Sequence, residues 1–428
     1  MEFETIELTK DVLIFKNVLK DIEKVQEFIK KTKEEDYVDP FFVVWTNYVK
    51  EASKTCQVNV IVNCEHWAYS EAKNLFCGNT SISIRRLPFN LPSTYVKRLF
   101  PSMSQFKQLR AIRFAFGQVL NFIVAPLVVL FLAHSLSKQQ TRAVFSHNGG
   151  WPGSQLCRWI ICAAKIARVP VRVLILHSHP AKIENPLLKV LILPLRYLRV
   201  KLIDWCATAI VTVSDSVKLA LESQVFRSRV LRIHNGIPLA PSPVPDEVLE
   251  WHPQSAALGF VGALYPLKGP HVLLDAFELV DIPCELALLG PAEVEYKKSL
   301  EQQAMRCRNK VTFLGFHQDV DSFMDRIELL VVPSIAYESF GMVILEAMKH
   351  RKPVICSDFG GMKEVVEHGV TGLVVPAGDK QALAKAIVAL MSDAGVRRQM
   401  GEAGSRRLAE HFTSDKMAAQ YEQLMLEI

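Results

Sequence analysis

Glycine is absent from the beginning of this 428-residue chain, where the first glycine is Gly78. Nucleotide-binding α/β domains commonly begin with a strand and a glycine-rich turn, and the first 77 residues offer no such turn. The start also lacks a basic stretch followed by an apolar core. We therefore expect no secretory signal peptide and a cytoplasmic location.

Cysteine is present but lacks any metal or disulfide pattern. The nine cysteines are scattered, odd in number and never spaced as C-x-x-C, which favours free thiols in a reducing compartment. No D-x-D follows an apolar strand of the first half, and Asp, His and Cys are not spaced as ligands. The sequence therefore predicts no metal site.

Strong charge of either sign is also missing. The 50 basic and 44 acidic side chains leave a net charge of +6, which is too small to indicate a nucleic-acid-binding surface. No helix-turn-helix, zinc-finger or RNA-binding motif occurs in the chain. We expect no nucleic-acid partner.

The chain has no long, uninterrupted apolar run. Val119–Ala133 is fifteen residues long and contains Asn121 and Pro126, so it is too short to span a bilayer comfortably. Pro186–Ile203 mixes aliphatic residues with lysine and arginine, as an interfacial helix does. Two interpretations remain: helices buried against a sheet, or peripheral contact with a membrane.

Strand and helix patterns do alternate regularly, as in Leu258–Val261 followed by Pro270–Val280. This alternation predicts an α/β fold with parallel, doubly wound sheets, which bind ligands beyond the carboxyl ends of the strands. The length suits two domains. The predicted organisation is an N-terminal extension (1–38), a first Rossmann-like domain (39–236), a proline-rich linker (237–252), a second Rossmann-like domain (253–410) and a final helix (411–428).

Within the first domain, the beginning is the hardest part to assign. Residues 16–35 have the pattern of an amphipathic charged helix. Phe41–Trp45 is the predicted first strand and Val58–Val62 the second.

The most informative segment is 331–372. An apolar strand, Leu329–Val332, ends at Pro333, and a helix is predicted to begin near Gly341. Glu338 and Glu346 lie eight residues apart across this junction. A helix N-terminus offers unpaired amides to a phosphate, and the two carboxylates can accept hydrogen bonds from hydroxyls on either side. This order fits a sugar joined to a nucleoside through a diphosphate.

This segment resembles the E-x7-E signature of retaining glycosyltransferases of family 4. The resemblance includes the PS before Glu338, the E-S-F-G turn, the L-E-A-M helix, the G-G-M-K-E turn and the closing G-x-T-G-L-V-V. It implies the GT-B fold, two Rossmann-like domains with a cleft between them, in which the final helix crosses back to the first domain.

The resemblance also assigns residues to the donor. It implies that Glu338 holds sugar hydroxyls and Glu346 the ribose, and that amides of the loop bind the diphosphate. The full set of implied donor-binding residues is Gly262, Lys268, Gly315, Phe316, Glu338, Ser339, Phe340, Gly341, Met342 and Glu346. Gly315 and Phe316 would hold the base. Lys268 would contact the diphosphate, but Ala263 stands where the family usually has a second phosphate-binding arginine.

On the first domain, the resemblance places a functional histidine at the end of the strand VRVLIL. His177 follows this strand directly and is the preferred candidate near the anomeric carbon. His179 is the alternative, on the acceptor side. Gly149 and Gly150, in the turn SHNGGWPG, are also expected to border the acceptor cleft.

The expected activity is transfer of a sugar, with retention, from a UDP-, GDP- or ADP-sugar to a glycan or lipid-linked acceptor, without metal or cofactor. Cell-envelope polysaccharide synthesis at the cytoplasmic membrane face is the expected setting. The alternatives are a GT-B protein that binds nucleotide sugar without transferring it, and a GT-B epimerase or disaccharide synthase.

Overall fold

The computed structural model describes residues 11–17, 57–62, 82–86, 107–148, 155–179, 197–222, 229–240, 249–317, 319–336 and 338–428. These residues form two separate parallel sheets with helices packed against them. The strand–helix alternation of the sequence predicts this architecture, because a parallel connection needs a crossover helix.

The first sheet has the strand order β3-β2-β1-β4-β5-β6-β7, and every neighbouring pair is parallel. The order reverses direction between β1 and β4. The elements are β1 (Asp11–Asn17), β2 (Gln57–Val62), β3 (Ile82–Arg86), α1 (Lys107–Lys138), β4 (Ala143–Asn148), α2 (Gln155–Ile166), β5 (Val171–Leu176), α3 (197–206), β6 (Ala209–Thr212), α4 (Asp215–Glu222) and β7 (Arg229–Arg232).

The position of β1 corrects the predicted N-terminal extension. Asp11–Asn17 lies at the centre of the first sheet, paired with β2 on one side and β4 on the other. The boundary at residue 38 is therefore wrong for this strand. A parallel strand covered on both faces is a short apolar run, here Val12–Phe15. Residues 16 and 17, the first two of the helix predicted in 16–35, are the end of β1 instead. The rest of that helix and the strand Phe41–Trp45 lie outside the described residues, whereas Val58–Val62 falls within β2.

The second sheet has the order β10-β9-β8-β11-β12-β13, again parallel throughout. Here the direction reverses between β8 and β11. Its strands are β8 (Ala257–Val261), β9 (Glu285–Leu289), β10 (Val311–Gly315), β11 (Leu329–Val332), β12 (Val354–Ser357) and β13 (Gly372–Val375). Its helices are α5 (Pro270–Phe277), α6 (Val294–Ala304), α7 (Val320–Arg326), α8 (Met342–Lys349), α9 (Met362–Val365), α10 (Lys380–Ser392) and α11 (Ala394–His411), with α12 (Ser414–Glu427) following.

Helices α1, α2 and α3 cover one face of the first sheet and share one apolar core, which includes Leu132, Ile160 and Ile203. Helix α1 is apolar on its outer side as well, where Leu127 is 69% exposed. Among the described residues, no helix combines the length and the apolar character needed to cross a membrane. The run Val119–Ala133 is part of α1, so it packs on the core with one side and leaves the other uncovered.

The chain passes between the domains twice, and the two passages lie side by side. Ile237 donates its backbone N–H to the carbonyl of Phe412 at 3.0 Å, and Ser414 donates to the carbonyl of Ile237 at 3.0 Å. Helix α12 then packs on the first domain, where Tyr421 meets Phe145 edge to face at 5.9 Å.

Candidate functional site

The strand orders locate a binding crevice in each domain. In doubly wound sheets, ligands bind beyond the carboxyl ends of the strands where the order reverses. In the second domain this point lies between β8 and β11. The loops that follow these two strands carry Lys268 and Glu338.

Lys268 and Glu338 form a half-buried ion pair, in which the Lys268 Nζ donates to Glu338 Oε2. Lys268 ends a 3₁₀ turn (Pro266–Lys268) that is held to the β11 loop by a hydrogen bond from the Ile335 N–H to the Leu267 carbonyl at 2.9 Å. Gly269 has a φ of +72°, and a Cβ there would collide with the Pro333 carbonyl. Only glycine permits this close approach, so the local sequence explains how the two charges meet.

The 338–341 loop (Glu338, Ser339, Phe340 and Gly341) leads into α8. Gly341 is the N-cap of that helix, with a φ of +90°. The Phe340 side chain is buried and packs edge to face on Phe412 at 5.8 Å. This packing holds the loop in place. The loop backbone and Met342 therefore lie at the N-terminus of α8, the positive end of the helix dipole.

Gly262 follows β8 and Gly315 ends β10, on either side of the end of β9. Gly290, at the end of β9, donates its N–H to the Gly315 carbonyl at 2.7 Å, and the Gly262 N–H donates to the Leu289 carbonyl at 2.9 Å. Both Gly262 and Gly315 have positive φ, and a Cβ at either would meet nothing within 4 Å. The space above these turns is open to a ligand. Phe316 follows directly and is half-buried.

Glu346 lies one turn into α8 and is half-buried. Burial, with a smaller contribution from Asp321, raises the pKa of its carboxyl to about 7, against opposing effects of Lys349 and His350. Asp321 itself contacts the His350 Nε2 at 2.9 Å and the Lys349 Nζ at 3.4 Å. Near neutral pH, Glu346 is therefore poised between its protonated and ionised forms.

His177 is paired with a residue that sequence reasoning missed. Its Nε2 lies 3.0 Å from Nδ1 of His147, and the two rings stack with centroids 5.3 Å apart. His147 is near the end of β4 and only 2% exposed. Because β4 and β5 are neighbours in the sheet, the histidines that end them had to meet. That adjacency was the available signal.

His179 reaches the other domain. Its Nδ1 lies 3.5 Å from the Ser339 hydroxyl in the 338–341 loop, and its Nε2 lies 2.8 Å from the Ser216 hydroxyl at the start of α4. The structure therefore brings His179, the alternative candidate, against the loop of Glu338. Gly149 and Gly150 lie outside the described residues.

Two expectations concern groups other than these. Ala263 stands where a second phosphate-binding arginine was expected, and its uncharged side chain supplies no cation. It is buried, at 5% exposure. In the described part of the chain, no cluster of His, Cys, Asp and Glu could hold a metal ion.

Comparison with known families agrees with this geometry. Residues 246–407 match the family described as glycosyl transferases group 1. The matched range lies in the second domain, which is therefore similar to group 1 glycosyltransferases. This domain contains Lys268, Glu338, Glu346 and the whole crevice between β8 and β11.

Curated relatives match part of this chain. The chain is 33% identical over 166 residues to the O-antigen chain mannosyltransferase C of Escherichia coli, which covers 38% of this chain and 44% of that protein. It is 28% identical over 233 residues to the capsular polysaccharide biosynthesis glycosyltransferase CapM of Staphylococcus aureus, 51% of this chain and 61% of that protein. The chain thus spans about half the length of the curated relatives it matches.

Solved structures extend the similarity to both domains. The HepE protein of Anabaena, solved in complex with UDP and glucose, superimposes with a TM-score of 0.65 at 20% identity over 98% of this chain and 100% of that one. The sucrose-phosphate synthase of Thermosynechococcus elongatus gives 0.64 at 18% identity over 98% of both chains. The second domain is therefore the second half of a GT-B fold.

Proposed function

We propose that this protein transfers a sugar from a nucleoside diphosphate to a glycan or lipid-linked acceptor, with retention at the anomeric carbon and without a metal or cofactor. The observation that carries the proposal is the Lys268–Glu338 pair beside the N-terminus of α8. Its position at the reversal of the second sheet, within a domain similar to group 1 glycosyltransferases, supports a nucleotide sugar as the ligand.

Each group has a distinct role in this proposal. The diphosphate accepts hydrogen bonds from the Lys268 ammonium and from the backbone amides of the loop and the helix start, namely Ser339, Phe340, Gly341 and Met342. Glu338 accepts hydrogen bonds from sugar hydroxyls once Lys268 turns to the phosphate, and Glu346 accepts from the ribose. The base lies over Gly262, Gly315 and Phe316. Negative charge grows on the leaving diphosphate as the glycosidic bond breaks, so fixed amides and an ammonium there lower the barrier.

The first domain supplies the reacting side. We propose that His177 and His179 both border the anomeric carbon and the acceptor, with Gly149 and Gly150 on the acceptor side. The contact of His179 with Ser339 supports a place next to the donor sugar. The pairing of His177 with His147 supports a ring held in one orientation.

The proposed acceptor belongs to cell-envelope polysaccharide synthesis, in line with the O-antigen and capsule relatives. The outer side of α1 supports contact with a membrane surface, since Ile123, Leu127 and Leu130 are 63%, 69% and 57% exposed along one side of the helix. On α3, Trp205 is 65% exposed and lies under the Lys165 ammonium at 5.0 Å. Aromatic and basic groups side by side suit the anionic cytoplasmic face.

The decisive experiment is a thermal-shift panel of UDP, GDP, ADP and CMP, each with and without EDTA. A ligand at a hundred times its dissociation constant adds about 2.7 kcal/mol to the free energy of unfolding. We expect one nucleoside diphosphate to stabilise the protein strongly in both conditions. No shift with any nucleotide would contradict the proposal, and a shift lost in EDTA would contradict its metal-free form.

Transfer itself is tested with the radiolabelled sugar nucleotide of the base that the panel selects. Nucleoside diphosphate should be released, and label should appear in a lipid or glycan fraction, only when acceptor is added. Equal release without acceptor would indicate a different reaction of the same nucleotide sugar.

A further inference from the structure

The Glu364 side chain joins the two domains. It lies on α9 of the second domain, in the G-G-M-K-E turn. Its Oε2 accepts the backbone N–H of Asp215 at 2.8 Å and its Oε1 accepts that of Ser216 at 2.8 Å. These two amides open α4 of the first domain. Amides in the first turn of a helix lack partners within that helix, and a carboxylate satisfies them while complementing the helix dipole.

The surroundings keep this carboxylate charged. Burial opposes ionisation of Glu364, but hydrogen bonds from His234 and from the Asp215 and Ser216 amides outweigh it and lower its pKa. The His234 Nε2 lies 3.3 Å from Oε2. The Arg407 guanidinium also donates to the Glu364 backbone carbonyl at 3.0 Å. The residue is thus fixed at both its backbone and its side chain.

The anchored turn of α4 is directly connected to the candidate reacting side. The hydroxyl of Ser216, whose amide Glu364 binds, lies 2.8 Å from His179 Nε2. The other ring nitrogen of His179 faces the Ser339 hydroxyl at 3.5 Å. Gly361, the residue before α9, lies close to both parts. A Cβ there would lie 2.9 Å from the Ser214 Cβ and would collide with the Ser339 carbonyl.

We propose that Glu364 is a positioning residue: by holding the first turn of α4 to the second domain, it holds His179 beside the 338–341 loop. Glu364 touches neither donor nor acceptor in this arrangement. It acts through Ser216 and His179, and it sets how closely the two domains approach at the reacting centre. The effect on catalysis rests on the proposed transferase function.

The test compares Glu364→Gln with Glu367→Gln in the full chain. Glutamine has nearly the same size but keeps only one acceptor oxygen, so one of the two α4 amides loses its partner. Glu367 is a matched control because it lies three residues away, is 54% exposed and pairs with Arg407 at 3.4 Å. Thermal unfolding of each variant checks that the fold is intact.

The first readout is amide hydrogen exchange, which needs no activity. Losing a hydrogen bond to a charged group should speed exchange about tenfold at residue 215 or 216, whichever amide is left without an acceptor in Glu364→Gln. Glu367→Gln should leave it unchanged. Unchanged exchange in Glu364→Gln would overturn the proposal, even if the wild-type protein transfers no sugar and the proposed function fails.

The second readout separates positioning from binding. We expect kcat of Glu364→Gln to fall about tenfold while the KM for donor stays within twofold, because the proposed donor contacts belong to the second domain alone. Ser216→Ala, which keeps both amides but removes the hydroxyl bonded to His179, should lower kcat without faster exchange. An unchanged kcat in Glu364→Gln, or an equal loss of donor binding, would overturn the positioning role.

Discussion

The two domains hold their chemical groups in different ways. In the second domain, Glu338, the amides of the 338–341 loop and Glu346 come from one strand–turn–helix unit. In the first domain, the corresponding groups come from separate strand ends: His147 from β4, and His177 and His179 after β5. A site made by one contiguous unit can be recognised in sequence, whereas one assembled from neighbouring strands depends on the strand order.

The difference also separates the proposed work of the domains. The second domain presents a helix N-terminus, an ammonium and two carboxylates, which suit a ligand with a constant charged part. The first domain presents imidazoles and an apolar outer surface. We expect variants in the second domain to change donor binding and the stabilisation of the leaving diphosphate. Variants in the first domain should change turnover without changing nucleotide affinity, or change attachment to a membrane.

The largest effect is expected for Lys268→Ala, on the second-domain side of the comparison. Removing a fixed positive group from the leaving diphosphate should lower kcat about 10²- to 10³-fold and weaken nucleotide binding. Steady-state kinetics and calorimetric titration with the diphosphate measure both. Lys298→Ala, which removes a lysine that is 62% exposed on α6, serves as the control. Full activity in Lys268→Ala would refute the assigned role.

The next effect concerns the first domain. Because His179 contacts the loop of Glu338 whereas His177 pairs with His147, His179→Ala should lower kcat about 10- to 100-fold, with the nucleotide dissociation constant unchanged. His177→Ala, assayed beside it, ranks the two candidates, and the exposed His252 supplies the control substitution. A larger loss in His177→Ala would restore the preference drawn from the sequence.

A pH effect is expected in the second domain. The Glu346 carboxyl has a pKa raised to about 7, and only its ionised form can accept two hydrogen bonds from ribose. Nucleotide affinity should therefore rise about tenfold from pH 6 to pH 8. The ligand's own phosphate titrates in the same range, so the measured quantity is the difference between wild type and Glu346→Gln. Parallel pH profiles for the two proteins would contradict the assignment.

The same shift predicts the sign of a stability change. Since the folded pKa of Glu346 is raised, its favourable contribution is present at low pH and is lost as the pH rises through 7. Glu346→Gln should accordingly raise Tm at pH 8 more than at pH 5.

The smallest effect is expected at the outer surface of the first domain. Leu127→Ser should weaken binding to phosphatidylglycerol vesicles about fivefold, by the loss of one apolar side chain from the contact. Leu219→Ser is a close match as control, since Leu219 is 66% exposed on α4, another helix of the same domain. Vesicle flotation would show the contrast, and equal binding of both variants would remove α1 from the membrane proposal.

The sequence was sufficient where each signal was local. The strand Leu329–Val332 was predicted at its observed bounds. The next helix was predicted to begin near Gly341 and begins at Met342, because a buried strand, a proline and a glycine cap follow one another. The raised pKa of Glu346 could not be predicted, since it depends on burial of the carboxyl in the fold and, to a smaller extent, on Asp321 from another helix.

The first domain shows why the rest failed. Val12–Phe15 is an apolar run, but the expected glycine-rich turn is missing after it, and the charged pattern of 16–35 suggested an added helix instead. The pairing of His147 with His177 required knowing that β4 and β5 are neighbours. Neither the strand order nor the contact of Glu364 with α4, 149 residues away, has any local signature.

The return of α12 to the first domain affects how the protein is made. The Phe145 side chain of β4 is covered by Tyr421, and Arg229 after α4 pairs with Glu427 at 2.6 Å. A ribosome synthesises residues 414–427 after the entire second domain. The first domain, although most of it is translated earlier, is therefore completed only after the second domain has been synthesised.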